Sequence, residues 1–438
     1  MRQIPPGEVH STLSKHILAD GFDLVLDLRK SSGSRIHDSR EGRDFLDLFS
    51  FFASAPLGMN HPKLMEPEFM RHLAEVAVNK PSNSDFYTVE MAQFVETFVE
   101  TVIPESHPHL FFVDGGALGV ENALKAAFDW KVRKNIAAGR GVTGSRVIHF
   151  RHAFHGRTGY TLSLTNTADP RKYLYFPKFD WPRVSSPAAR FPLEEHLEEN
   201  VRDEKKALEE IDEAIAVHGH DIACLIVEPI QAEGGDRHFR AEFLGELRDR
   251  ADRHDFMLIY DEVQSGMGLT GSWWAWQSIG VAPDIFAFGK KSQVCGMACS
   301  RRIDEVPDNV FHESSRLNST WGGNLTDMVR STRYLEIMRE EDILSNVRAR
   351  GDQLMAGLRP LAERHPLITN LRGRGLMCAM DLPDGATRDR VIGAIYRHGA
   401  IILPCGCSSI RFRPPLNITS AEIEEALDII GRALAEIL

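Results

Sequence analysis

Short apolar runs recur along the chain without the polar alternation of a half-exposed strand, at residues 110–113, 146–150, 222–230, 256–262 and 284–289. Runs of this kind belong in a sheet covered on both faces. Between several of them lie stretches with apolar positions at helical spacing, among them GVENALKAAFDWKVRK and AEFLGELRDRADRHD. Strands alternating with helices predict an α/β unit built on a largely parallel sheet.

The two ends of the chain carry a different pattern. DLVLDLRKSSGSRIHD near the start and GRGLMCAMDL, AIILP and SIRFRPPL near the finish read as strands with sparser helices. Both termini are therefore expected in one smaller, discontinuous α+β domain, residues 1–75 and 331–438, flanking a large domain at 76–330. A helix near 327–339 is the expected return path between them. At 438 residues the chain is long enough for two well-packed units.

Charge and composition narrow the function classes. A formal net charge of -11 and the lack of clustered Lys and Arg argue against nucleic-acid binding. No run reaches the roughly 18 apolar residues of a membrane span, and the N-terminal stretch lacks a signal-peptide core, so a soluble, cytoplasmic protein without membrane contacts is expected. Six cysteines without paired CxxC knuckles read as reduced thiols. The CGC at 405–407 has no His or carboxylate cluster to complete a site, and no metal is expected.

Ligands of open parallel α/β sheets sit beyond the carboxyl ends of the strands. After LFFV comes DGGALG, then a helix expected from Glu121; Gly115, Gly116 and Ala117 can bring backbone N–H groups to a phosphate. The loop matches neither the P-loop nor the dinucleotide pattern. Asp261 closes one strand and Lys290 follows the next, one strand-helix-strand unit apart. Lys290 or Lys291 would be a nucleophile if buried, since burial favours the neutral amine; a solvated surface turn and a turn-capping Asp are the plain alternatives. Phosphate cradle, carboxylate and lysine together specify pyridoxal 5'-phosphate, with Asp261 as partner of the ring nitrogen. Phe154, in RHAFHGRTGY, can lie against such a ring or belong to the core.

The segments FFVDGGALGVENALKAA, FHGRT, VEPIQAEGGD, DEVQSGMGLTG, FGKK and STWGGN, in this order, resemble the class III pyridoxal-phosphate aminotransferases of fold type I. That resemblance implies a large domain with a mostly parallel mixed sheet. It implies Lys290 as the Schiff-base lysine and general base and acid, Asp261 as the pyridinium partner, and Gln264 at the cofactor's phenolic oxygen. Gly116 and Ala117 match the phosphate loop. Ser319 and Thr320 match a loop that reaches the phosphate in the other subunit, which implies a homodimer with shared active sites.

Within the family, NKPSNSD, FPKFDWP and RLNSTWGGNLTDMVR resemble the members that act on the ε-amine of L-lysine. The implied reaction passes that amine to 2-oxoglutarate, giving 2-aminoadipate 6-semialdehyde, which cyclises to a piperideine carboxylate, and L-glutamate. Arg157 matches the holder of a distal carboxylate, here lysine's α-carboxylate. Arg411 matches the holder of a carboxylate beside the reacting carbon, with Glu233 pairing it until 2-oxoglutarate arrives. Arg413 is assigned to the opposite face. Asn83, with Ser84, is expected to add polar substrate contacts. 4-Aminobutyrate, or another ω-amino acid, is the alternative donor.

Overall fold

A computed structural model describes residues 3–438. Its central sheet has seven strands: β1 (His109–Val113), β2 (Arg146–Phe150), β3 (Arg183–Val184), β4 (Ile222–Val227), β5 (Met257–Asp261), β6 (Ile285–Phe288) and β7 (Cys295–Cys299). Their order is β1-β7-β6-β5-β4-β2-β3. The run from β6 to β3 is parallel, while β7 lies antiparallel to both β6 and β1. The expected mostly parallel mixed sheet is present.

Both faces of this sheet are buried, as its apolar runs require. Cys224, Ile226 and Ile259 face the helix α1 (Gly116–Ala137), which packs Val120, Ala123, Ala127 and Trp130 against them. Leu225, Val227, Leu258 and Tyr260 face the other way, onto Phe94, Phe98, Ile211, Phe243 and Leu247 of three further helices. The period of two places neighbours along one strand in two cores. Each large side chain so buried contributes about 1.5–3 kcal/mol. The run expected at 222–230 is shorter than read: β4 ends at Val227, and Ile230–Gln231 turns away to pair with Arg237–His238.

The termini meet in a second core. Ala400–Ile401 runs parallel to Arg43–Asp47, which pairs with Arg35–Asp38, so one small sheet draws on both ends of the chain. A four-stranded antiparallel sheet (Thr369–Arg374, Met377–Asp381, Ser409–Phe412, Leu403–Cys405) packs beside it under the helices Ile343–Arg364 and Ser420–Ile437. Leu325–Glu340 is the expected return helix, capped by the Asn324 side chain on Thr326 N. It sends Leu325, Met328 and Leu335 into the sheet's core and Tyr334, Ile337 and Met338 into the terminal one. Residue 75 falls within the helix Pro67–Ala77 and residue 330 within Leu325–Glu340, so both expected boundaries lie inside helices.

Candidate active site

The carboxyl ends of β5 and β6 are in register, Asp261 beside Ala287, so the residue closing one strand and the lysine following the other converge. They line a cavity of about 320 Å³ together with Gly116, Ala117, Phe154, Arg157, Glu233 and Gln264. Eight of the residues singled out in the sequence thus share one wall.

Lys290 occupies a tight turn with φ +55°, a conformation that favours glycine. Its Nζ donates to the carbonyl of Phe52 at 3.1 Å. Burial, followed by the charges of Arg411 and Arg413, pushes the Lys290 amine down to about 8. Lys291 takes the other course. It is fully buried and donates from Nζ to the carbonyls of Gln264 (2.7 Å) and Ala53 (3.3 Å). Of the two lysines, only Lys290 lines the cavity.

The wall opposite this turn is unusual backbone. Ser50, Phe51, Phe52 and Ala53 have φ of 40°, 51°, 59° and 61°, a left-handed turn made without glycine, at a cost of about 1–2 kcal/mol per residue. Lys290, Lys291 and Gln293 donate to the carbonyls of Phe52, Ala53 and Ser54. Three side chains of one turn hold three successive carbonyls of the other, and Phe52 is thereby fixed in the cavity wall.

The helix α1 begins at Gly116, five positions before the expected start at Glu121. Gly115, at φ +107°, forms its N-cap without a side-chain cap, so the first-turn N–H groups are left for a ligand. A Cβ on Gly116 would come within 2.9 Å of Val263 Cγ1 and intrude on the wall. Glu121 serves another purpose: its Oε1 accepts from Thr158 Oγ1 (2.6 Å) and Tyr160 N (2.9 Å), tying the loop that carries Phe154 and Arg157 to α1.

Asp261 is oriented at both oxygens, with Oδ2 2.8 Å from His155 Nδ1 and Oδ1 accepting from Val263 N at 3.1 Å. Glu228 holds two loops of the site, accepting from Phe154 N (2.9 Å) and Ala232 N (3.1 Å). Burial, reinforced by Asp261, raises the Glu228 carboxyl well above the usual range.

Arg411 is buried, and its Nη2 donates to Glu233 Oε2 at 2.8 Å. Glu233 also accepts from Lys172. Burial alone would raise the Glu233 carboxyl; Arg411 and Lys172 outweigh it and hold the group below its ordinary value. The assignment of Arg413 to the opposite face does not hold. Residues two apart along a strand share a face, and both guanidiniums reach Gln264 Oε1, Arg411 Nη1 at 3.5 Å and Arg413 Nε at 3.1 Å. Arg157 lines the cavity, and among the described residues it makes no ion pair.

Asn83, Ser319 and Thr320 stand outside this cavity. Asn83 donates to the Gly323 carbonyl at 3.0 Å, and Ser84 to that of Ser319, so the 82–87 segment braces the 319–323 loop. Sequence reasoning passed over Phe52, His155, Lys172 and Glu228, all of which line the cavity. Only His155 and Glu228 carried a signal, as neighbours of residues already singled out.

A phosphate-bearing aldehyde with a basic ring nitrogen fits these residues: free N–H groups of a helix start for the phosphate, an amine turned toward neutrality for the aldehyde, and an oriented carboxylate for the ring nitrogen.

Similarity to known proteins runs the length of the chain. The family model for aminotransferase class III matches residues 19–434. An L-lysine-epsilon aminotransferase of Amycolatopsis lactamdurans is 53% identical over 99% of this chain and 98% of its own. The solved lysine aminotransferase of M. tuberculosis superposes with a TM-score of 0.97 at 52% identity, covering 99% of this chain and 100% of that one. A 4-aminobutyrate aminotransferase of Schizosaccharomyces pombe is 32% identical over 92% of this chain and 88% of its own. With both cores and the cavity inside the matched span, the chain belongs to the class III aminotransferases, enzymes that work with pyridoxal phosphate.

Proposed function

We propose that this aminotransferase moves the ε-amino group of L-lysine to 2-oxoglutarate, yielding 2-aminoadipate 6-semialdehyde, which cyclises, and L-glutamate. The observation that carries this reading is the pairing of Arg411 by Glu233 while Arg157, which lines the same cavity as Glu233, makes no ion pair among the described residues. A donor that reacts through its terminal amine brings a carboxylate only to the far end. Arg157 then binds that carboxylate, and Glu233 neutralises Arg411 beside the methylene chain. 2-Oxoglutarate brings two carboxylates, so Glu233 must yield Arg411 to the second. Unpaired in either case, a buried guanidinium costs several kcal/mol. The greater likeness to L-lysine-epsilon aminotransferases than to 4-aminobutyrate aminotransferases favours lysine over the shorter donor.

Pyridoxal phosphate, when bound, supplies an aldehyde that exchanges amines and a ring that withdraws electrons from the carbon losing its proton. The first turn of α1, at Gly116 and Ala117, would hold the phosphate. Asp261 keeps a proton on the ring nitrogen. Gln264, whose Oε1 is taken by the two arginines, has its amide NH2 to donate to the phenolic oxygen. Phe154, in the cavity wall, would offer its ring as a face for the cofactor. Lys290 Nζ, lining the cavity beside that position, would carry the proton as general base and then acid.

Ser319 and Thr320 reach a phosphate in a second copy, making the enzyme a homodimer. Phe86 and Tyr87, 72% and 81% exposed on the segment that braces this loop, supply apolar surface for the partner to cover. Asn83 then acts by bracing rather than by touching substrate. Six cysteines, all free, accord with a cytoplasmic location.

An amino-donor panel with 2-oxoglutarate as acceptor, scored for glutamate and for cyclised aldehyde, tests the proposal. Lysine leading the panel supports it; 4-aminobutyrate leading it does not.

A further inference from the structure

The Glu233 carboxylate is gripped from two sides. Arg411 donates to Oε2 at 2.8 Å, and Lys172, 61 residues earlier in the chain, donates to Oε1. The two cations differ in setting. Arg411 is 2% exposed and held within the sheet Met377–Asp381/Ser409–Phe412, whereas Lys172 ends the short turn Pro170–Lys172 and its side chain is 27% exposed. Lys172 lines the cavity, its ammonium 5.9 Å from the Phe154 ring centroid. One partner of Glu233 is therefore sealed within a sheet, the other partly exposed on a short turn and in reach of water.

This arrangement answers a difficulty in exchanging substrates. When a dicarboxylic keto acid takes Arg411, Glu233 loses its buried partner, and a half-buried carboxylate left alone is strongly unfavourable. A second cation already bonded to the other oxygen removes that cost, because only the Arg411 contact has to break. A lysine's long, rotatable stem lets its charge follow the carboxylate as it moves.

We propose that Lys172 is a positioning residue of the substrate gate: it retains Glu233 when Arg411 is handed to the incoming keto acid. This rests on the reading of Glu233 as a gate given above. Lys172 acts through Glu233 and not on the substrate, so its removal should weigh on the 2-oxoglutarate half-reaction.

Single-turnover measurements of each half-reaction on the holoenzyme, for Lys172→Met, Lys172→Arg, Glu233→Ala and the Lys172→Met/Glu233→Ala double variant, test this. In Lys172→Met the half-saturating 2-oxoglutarate concentration should rise about tenfold, and that of lysine by less than about twofold. Lys172→Arg should restore 2-oxoglutarate binding to within about twofold. In the Glu233→Ala background, Lys172→Met should add less than about twofold. Equal losses in both halves, or the full loss persisting without Glu233, overturn the role of Lys172. Glu233→Ala leaving the lysine half unimpaired overturns the gate itself, a separate result.

Discussion

Nδ1 of His155 lies 2.8 Å from Oδ2 of Asp261 inside a wall where both side chains are almost fully buried. A carboxylate only accepts, so Nδ1 carries the proton and fixes the plane of the acid beneath the cofactor site.

His155→Ala leaves that oxygen without a donor. A hydrogen bond to a charged group is worth about 1.5–3 kcal/mol, so kcat should fall about 10- to 100-fold. Asn, whose amide can reach the Nδ1 position, should recover part of the loss. Steady-state kinetics check this; an unchanged kcat in the alanine variant would remove His155 from the account.

Arg157→Met takes away the carboxylate site assigned to the donor. Half-saturating lysine should rise about 10- to 100-fold, in line with the worth of a charged hydrogen-bonded pair. 1,5-Diaminopentane has the same chain without the carboxylate. Both proteins should turn it over equally poorly, and a large difference between them on the diamine would contradict the assignment.

In the cofactor-free protein, Lys290 should lose its proton as pH rises through about 8, below the 10.5 of an ordinary lysine. Acylation of Lys290, followed by peptide mass spectrometry, should rise with a midpoint near pH 8, with Lys291 unlabelled while the fold persists. Between about 8 and 10.5 the unfolded chain binds the proton and the folded chain does not, so this residue's contribution to stability increases with pH across that window. A labelling midpoint near 10.5 would contradict the burial of the amine.

The strands, the glycine loop that opens α1, and the placing of Asp261 and Lys290 at neighbouring strand ends are legible in the sequence because each is local: an apolar run and the residue that ends it. Helix α1 was read as starting five residues late because Gly115 and Gly116 suggest a loop, whereas Gly116 starts the helix and keeps a cavity wall clear of side chains. The left-handed turn at Ser50–Ala53 carries no signature, since it lacks glycine and is held by side chains from residues 290–293. Lys172 was invisible for a similar reason. It sits outside every recognisable motif, and only the fold brings it to Glu233.

Borohydride reduction of the holoenzyme followed by peptide mapping tests most directly whether Nζ of Lys290 is the amine that holds the cofactor. A pyridoxyl group on Lys290, and none on Lys290→Ala protein treated in the same way, is the predicted result. A pyridoxyl group on Lys172, Lys291 or any other side chain of the native enzyme would contradict it.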